Sequence, residues 1–182
     1  MPLAHAILGF LDYGPMTGYD LKKFFDQSVT HFWSATQSHI YKALETLEEQ
    51  GFVESKIVPQ EKRPNRKEYR ITRTGRAELR KWVVTPLPLN PTREAWLIQI
   101  FFSHASSNEE IIGLLQARAK EIQASLDAFT SGASDSADKV AGPERMRSLW
   151  QLTGDFGAAY YQFELAWLEK TIKKIETLPP LK

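Results

Sequence analysis

Residues 34–53 read SATQSHIYKALETLEEQGFV, and the architecture of the first half of the chain turns on how they are read. Ile40, Ala43, Leu44 and Leu47 recur at the three- and four-residue steps that gather side chains on one stripe of a helix, so this stripe faces a core. Ser34, with Gln37 three residues on, has the spacing of a capping box, in which each side chain satisfies a backbone N–H at the start of a helix. Gly51 stands where a helix ends on a left-handed residue. With Ile40 set inward at about 100° per residue, Ser34, Ala35, Ser38 and Lys42 point outward, His39 and Tyr41 lie on the flanks, and Gln37 sits at the exposed first turn.

Upstream, Leu3, Ala6, Ile7, Phe10 and Leu11 make a second helical stripe that stops at Tyr13-Gly14-Pro15. Thr17 or Gly18 opens another helix carrying Leu21, Phe24 and Phe25. Downstream of Gly51 the period changes from helical to alternating: Val53, Ile57, Tyr69 and Ile71 are interleaved with polar residues, and Pro64-Asn65 separates the two runs. This predicts a two-stranded ribbon. Thr72 or Thr74 then caps a helix with Leu79, Trp82 and Val83. Helix, helix, capped helix and ribbon is the order of a winged helix-turn-helix, whose third helix enters the major groove of DNA while the wing touches the backbone.

The outward face of the third helix has the chemistry that groove needs. An amide such as Gln37 can pair with adenine, hydroxyls such as Ser34 and Ser38 with several bases, and a methyl such as Ala35 with that of thymine. The same face could instead be a plain solvated surface, or could meet a protein, making the chain a winged-helix interaction adaptor. The ribbon's turn favours DNA. From Lys62 to Lys81 there are nine cations (Lys62, Arg63, Arg66, Lys67, Arg70, Arg73, Arg76, Arg80, Lys81) against Glu68 and Glu78, nine minus two or +7, in a chain whose net charge is +1. Lys62, Arg63, Arg66 and Lys67 at a tight turn are expected to reach phosphates without being tied into ion pairs.

Pro86, Pro88 and Pro91 form a stiff connector, which places a DNA-binding domain at about 1–86 and a second, helical domain at about 92–180. That half reads as a helix over Thr92 to Ala105, another from Ser107 to about Thr130, a loop from Ser131 to Gly142, and a long helix from Pro143 to about Leu178. Ser107 and Glu110 repeat the capping-box spacing. The last helix is apolar on two sides: Leu149, Leu152, Phe156, Tyr160, Phe163 and Trp167 on one, Leu165, Leu168, Ile172 and Ile175 on another. A surplus apolar stripe is most simply covered by a second copy, so Phe163, Trp167, Leu168 and Ile172 are expected to hold a homodimer, unless the domain buries both stripes itself.

Other classes lack support. With no cysteine, disulfides and thiolate metal sites are excluded. His5, His31, His39 and His104 show no ligand spacing, and no phosphate loop or catalytic constellation is present, so neither enzyme activity nor a cofactor is expected. The first residues lack the pattern of a secretory signal, and no apolar run is long enough for a membrane span; a cytoplasmic protein is expected.

Several runs, taken in order, resemble the PadR family, regulators named for the phenolic-acid-responsive repressor. They are Ala6-Ile7-Leu8-Gly9-Phe10-Leu11, Thr17-Gly18-Tyr19-Asp20-Leu21, Phe32-Trp33-Ser34-Ala35-Thr36-Gln37-Ser38-His39-Ile40-Tyr41, Leu47 to Val53, and Arg66-Lys67-Glu68-Tyr69-Arg70-Ile71-Thr72-Arg73-Thr74-Gly75. Trp82 to Pro86 and Arg93-Glu94-Ala95-Trp96 resemble the family's long-tailed branch. The resemblance implies a mainly α fold: a winged helix-turn-helix with a two-stranded β wing, followed by a C-terminal helical dimerisation domain. It further implies repression at palindromic, inverted-repeat operators on double-stranded DNA and, in some members, release by a small aromatic acid. It also implies DNA contacts at Tyr19, along Ser34 to Lys42 including Tyr41, and on the wing.

Overall fold

A computed structural model describes residues 2–29, 32–59, 65–89, 93–137 and 143–179. Contacts divide the chain into two compact units, Met1–Leu89 and Asn90–Lys182. In the first, α1 (Pro2–Tyr13), β1 (Met16–Thr17), α2 (Gly18–Ser28), α3 (Gln37–Glu49), β2 (Val53–Val58), β3 (Arg66–Ile71) and α4 (Arg73–Val83) follow one another.

Three helices of this unit, α2, α3 and α4, start where a side chain satisfies an orphan N–H. At α2 the Thr17 hydroxyl accepts from the Asp20 N–H at 3.1 Å, and the Asp20 carboxylate accepts from the Thr17 N–H at 3.0 Å, a complete capping box. At α4 the Thr72 hydroxyl accepts from the Gly75 N–H at 3.1 Å. The start of α3 differs from the expectation. Its cap is Thr36, whose hydroxyl accepts from the His39 N–H at 3.3 Å, rather than Ser34. Ala35, the residue just before this cap, packs against the core. The other end is as read: Gly51 has φ 71°, its N–H donates to the Glu48 carbonyl, and the Phe52 N–H donates to the Leu47 carbonyl. Such a left-handed turn closes the helix at a residue with no Cβ to resist it.

The core of this unit joins Ile7, Leu8, Phe10 and Leu11 of α1 to Leu21 and Phe25 of α2, Ile40, Leu44 and Leu47 of α3, and Val53, Tyr69 and Ile71 of the sheet. The sheet has three antiparallel strands in the order β1-β3-β2, one more than expected, because Met16 and Thr17 pair with Tyr69 and Glu68. Two residues are too few to show a period. In the ribbon Val53 pairs with Ile71, Ser55 with Tyr69, and Ile57 with Lys67. Those pairs share one face. The face is buried at Val53 and Ile71 but open at Ile57, 64% exposed, so the alternation that suggested an inward Ile57 outlasts the core. At the opposite end His5 stacks on Trp82, ring centroids 4.6 Å apart and 7° from parallel.

The second unit contains α5 (Ala95–Phe101), a 3-10 turn (Ser103–Ala105), α6 (Asn108–Ala137) and α7 (Glu144–Ile175). The expected helix over Thr92 to Ala105 is shorter, and its last part is the 3-10 turn. The Ser107 hydroxyl accepts from the Glu110 N–H at 3.2 Å and the Glu110 carboxylate from the Ser107 N–H at 2.7 Å, the anticipated capping box. The loop expected from Ser131 begins later, since α6 runs on to Ala137: adding a turn to an existing helix needs no new nucleus, even with serines and a glycine. Residues 138–142 of that loop lie outside the described residues.

Ile111, Leu115 and Ile122 of α6 pack with Leu168 and Ile175 of α7, flanked by Trp96, Ile100, Trp167 and Ile172. Glu164 is buried among them and is matched by Arg118, whose Nε donates to it at 2.6 Å and whose guanidinium lies 4.2 Å from the Trp96 ring. This packing corrects the expected dimer surface. Leu168 is 0% exposed inside its own unit, and Trp167 and Ile172 pack on the same core, Trp167 edge-on to Trp96 at 5.4 Å. A helix hairpin needs one stripe of each helix for itself, and α7 uses this one. Leu149, Leu152, Phe156, Tyr160 and Phe163 are the exposed stripe, with Phe163 at 67%, and Ile98, Phe101 and Phe102 are exposed at α5.

Candidate nucleic-acid interface

The N-terminal half of α3 is an exposed surface without acid. Gln37, Ser38, His39, Tyr41 and Lys42 are all exposed, and no Asp or Glu occurs between Ser34 and Leu44. The helix N-terminus adds the partial positive charge of its unsatisfied N–H groups, so an anion meets no repulsion there. Acid begins at Glu45 and continues at Glu48 and Glu49, which restricts this favourable surface to the first two turns.

Within it the predicted residues separate. The Ser38 hydroxyl lies 3.0 Å from that of Thr36, so a cap residue the sequence reading passed over also orients a candidate base contact. Its signal was the Thr-x-x-His spacing that begins two residues after Ser34. Ser34 is exposed but precedes the helix. Ala35 turns inward instead of outward, because the residue just before the cap has left the helical rotation on which its outward placement was based. Tyr41 packs on Gly18: a Cβ there would lie 2.6 Å from Tyr41 Cε1, so any larger residue at this position would displace the Tyr41 ring from the start of α2. The contact fixes Tyr41 beside the first turn of α2, where Tyr19 is 67% exposed.

The wing differs from the expectation of unpaired cations. Arg66 pairs with Glu68, and Lys67 Nζ is 2.8 Å from Glu48 Oε2. Further along, Arg70 lies 3.6 Å from Glu54 and Arg76 2.7 Å from Asp12. Four of the seven cations of the basic run that lie among the described residues are therefore matched, three of them by acids outside the run, which is why a local charge sum overstated the patch. Lys62 and Arg63 lie outside the described residues. Lys42 makes no ion pair among the described residues.

The Lys67 contact is electrostatically coherent. The Lys67 ammonium, then the Ser55 hydroxyl, hold the Glu48 carboxyl below the usual carboxylate range, and Glu48 in turn holds Lys67 above the usual amine value. Burial pushes the Tyr69 phenol up. In the second unit, burial and the carboxylates of Glu94 and Glu164 push the Tyr160 phenol up. Among the described residues no three acids and histidines gather as a metal site would require. No helix of the described residues is long and apolar enough to cross a membrane.

A four-helix unit with a β wing between its third and fourth helices and an exposed, acid-free third-helix N-terminus defines a winged helix-turn-helix protein. Residues 7–81 match the Transcriptional regulator PadR-like family, and residues 92–176 match the Virulence activator alpha C-term family. The negative transcriptional regulator PadR of Bacillus subtilis is 31% identical over 125 residues, 68% of this chain and 69% of that one. The probable transcriptional regulator Rv1176c of Mycobacterium tuberculosis is 43% identical over 93 residues, 51% of this chain, and the match spans about half (48%) of that protein. Bacillus subtilis PadR in complex with operator DNA has the same fold, with a TM-score of 0.84 at 24% identity, covering 96% of this chain and 99% of that chain. PadR of the same organism in complex with p-coumaric acid matches with a TM-score of 0.77 at 25% identity, covering 97% and 96%. The chain belongs to the PadR-like family of transcriptional regulators.

Proposed function

We propose that this chain is a cytoplasmic, homodimeric repressor that reads an inverted-repeat operator with the N-terminal half of α3. The single observation that carries the reading is the exposed, acid-free run Gln37, Ser38, His39, Tyr41 and Lys42 at a helix N-terminus. In this reading Gln37 and Ser38 contact base edges, while Tyr19, Tyr41, Lys42 and Arg66 contact the backbone. The DNA-binding domain is about 1–86, and the helical domain, about 92–180, pairs two copies through Phe156, Tyr160 and Phe163. A twofold pair of recognition helices requires half-sites related by inversion and about 10 bp apart centre to centre, or a multiple of that. A protein interaction adaptor would be favoured by an apolar outward face on α3, and Ser38 and Lys42 argue against one.

The test is selection of duplexes from a random-sequence pool by the purified chain at several salt concentrations. Recovery of an inverted repeat, bound with an affinity that falls as a power of salt, is expected, since each neutralised phosphate releases counterions. No binding even at low salt, or recovered sequences without inverted symmetry, would overturn it. By analogy with the p-coumaric acid complex, a small aromatic acid releases the DNA; adding p-coumarate to the complex measures this directly.

A further inference from the structure

Glu48, in the last turn of α3, receives one donor from each strand of the wing. The Ser55 hydroxyl of β2 reaches Oε1, and the Lys67 ammonium of β3 reaches Oε2 at 2.8 Å. Both carboxylate oxygens are therefore engaged, and one side chain joins three elements. The Lys67 ammonium also lies 5.0 Å from the centroid of the Tyr69 ring, which belongs to the core. These contacts fall where the inner face of the ribbon leaves the core: Val53 and Ile71 are buried, Ser55 and Tyr69 come next, and Ile57 opposite Lys67 is exposed. Beyond that point the ribbon has only its own ladder, and an isolated two-stranded hairpin holds its geometry poorly.

We propose that Glu48 is a positioning residue that, through Lys67 and Ser55, sets the wing at a fixed distance and angle from the recognition helix, and that Lys67 is a strut of this arrangement rather than one of the wing's phosphate contacts. A wing held in register delivers its phosphate contacts only when α3 sits correctly in the groove. Loss of the strut therefore costs specific binding more than binding to any duplex.

The inference rests on the DNA-binding reading, and the two fail differently. A wild-type chain that recovers no sequence from a random duplex pool counts against that reading before any variant is made. With a recovered duplex and a shuffled duplex of the same composition in hand, Lys67→Met, Glu48→Gln and the exchanged pair Glu48→Lys with Lys67→Glu are compared with Arg66→Ala, each first checked for an unchanged melting transition of its helices. Lys67→Met and Glu48→Gln are each expected to weaken the recovered duplex about tenfold, the scale of a lost base contact, with the shuffled duplex and the salt slope unchanged. The exchanged pair is expected to restore most of the loss, which a merely tolerated surface pair would not do. The strut is overturned if Lys67→Met weakens both duplexes alike and lowers the salt slope by about 0.9 per subunit, as removal of a phosphate contact does. An exchanged pair no better than either single variant also overturns it.

Discussion

The two units of this chain, nearly equal in length, arrange their apolar side chains differently. The first closes a core from α1, α2, α3 and the sheet, with Phe10 set edge-on to Phe25 at 5.0 Å. The second buries only Ile111, Leu115, Ile122, Leu168 and Ile175 in its core cluster, while Leu149, Leu152, Phe156, Tyr160 and Phe163 stay exposed along α7 and Phe101 reaches 80% exposure at α5. The exposed apolar side chains of the first unit, among them Tyr19, Ile57 and Val84, are scattered over several elements. Those along α7 of the second stand in a row, the kind of surface on which we propose that two copies pair.

The largest effect should come from that row. Phe156→Asp with Phe163→Asp puts two charges, about two helical turns apart, on the exposed stripe and leaves the buried one intact. The variant is expected to sediment as a folded monomer and to bind an inverted-repeat duplex about 10²- to 10⁴-fold more weakly, through loss of the second, linked binding event. A variant that remains dimeric would place the self-association surface elsewhere.

The contrast between stripes is sharpened by Leu44→Ala and Leu168→Ala, one in each core and both 0% exposed. Each is expected to lower the free energy of unfolding in urea by about 2–5 kcal/mol, the cost of a buried leucine and the cavity it leaves. If Leu168→Ala dissociated the dimer without this loss, Leu168 would be interface after all.

The smallest effect uses the two capping boxes, Thr17 with Asp20 in the first unit and Ser107 with Glu110 in the second. Thr17→Ala and Ser107→Ala should each lower stability by about 1 kcal/mol, read as a drop in melting temperature. Only Thr17→Ala should also weaken DNA binding, because α2 carries Tyr19 and meets Tyr41 through Gly18. Equal effects on binding would mean that the two units do not divide the work.

What could be read from residue order followed the strength of the local signal. Ile40, Leu44 and Leu47 had to face inward and Gly51 had to end the helix, because periodicity and backbone chirality act within a few residues. The third strand, Met16–Thr17, was illegible because pairing with Tyr69 is decided more than fifty residues away. The wing was misjudged for the same reason. A sum over neighbouring charges cannot see that Glu48, Glu54 and Asp12 are brought to Lys67, Arg70 and Arg76 by the fold. Both apolar stripes of α7 were visible, but only packing against α6 could decide which was buried. Leu168 and Phe163 differ by five residues and look alike in a hydropathy pattern.

The stacking of His5 on Trp82 has a consequence for how the molecule is made. His5 also meets Glu78 at 3.1 Å, and Arg76 meets Asp12, so the first helix of the unit is held by its last. Contacts across more than sixty residues cannot form until the later partner has been synthesised, and such distant closures are slow steps in folding. The closure of α4 on α1 therefore has to wait, during synthesis, until Trp82 has been made.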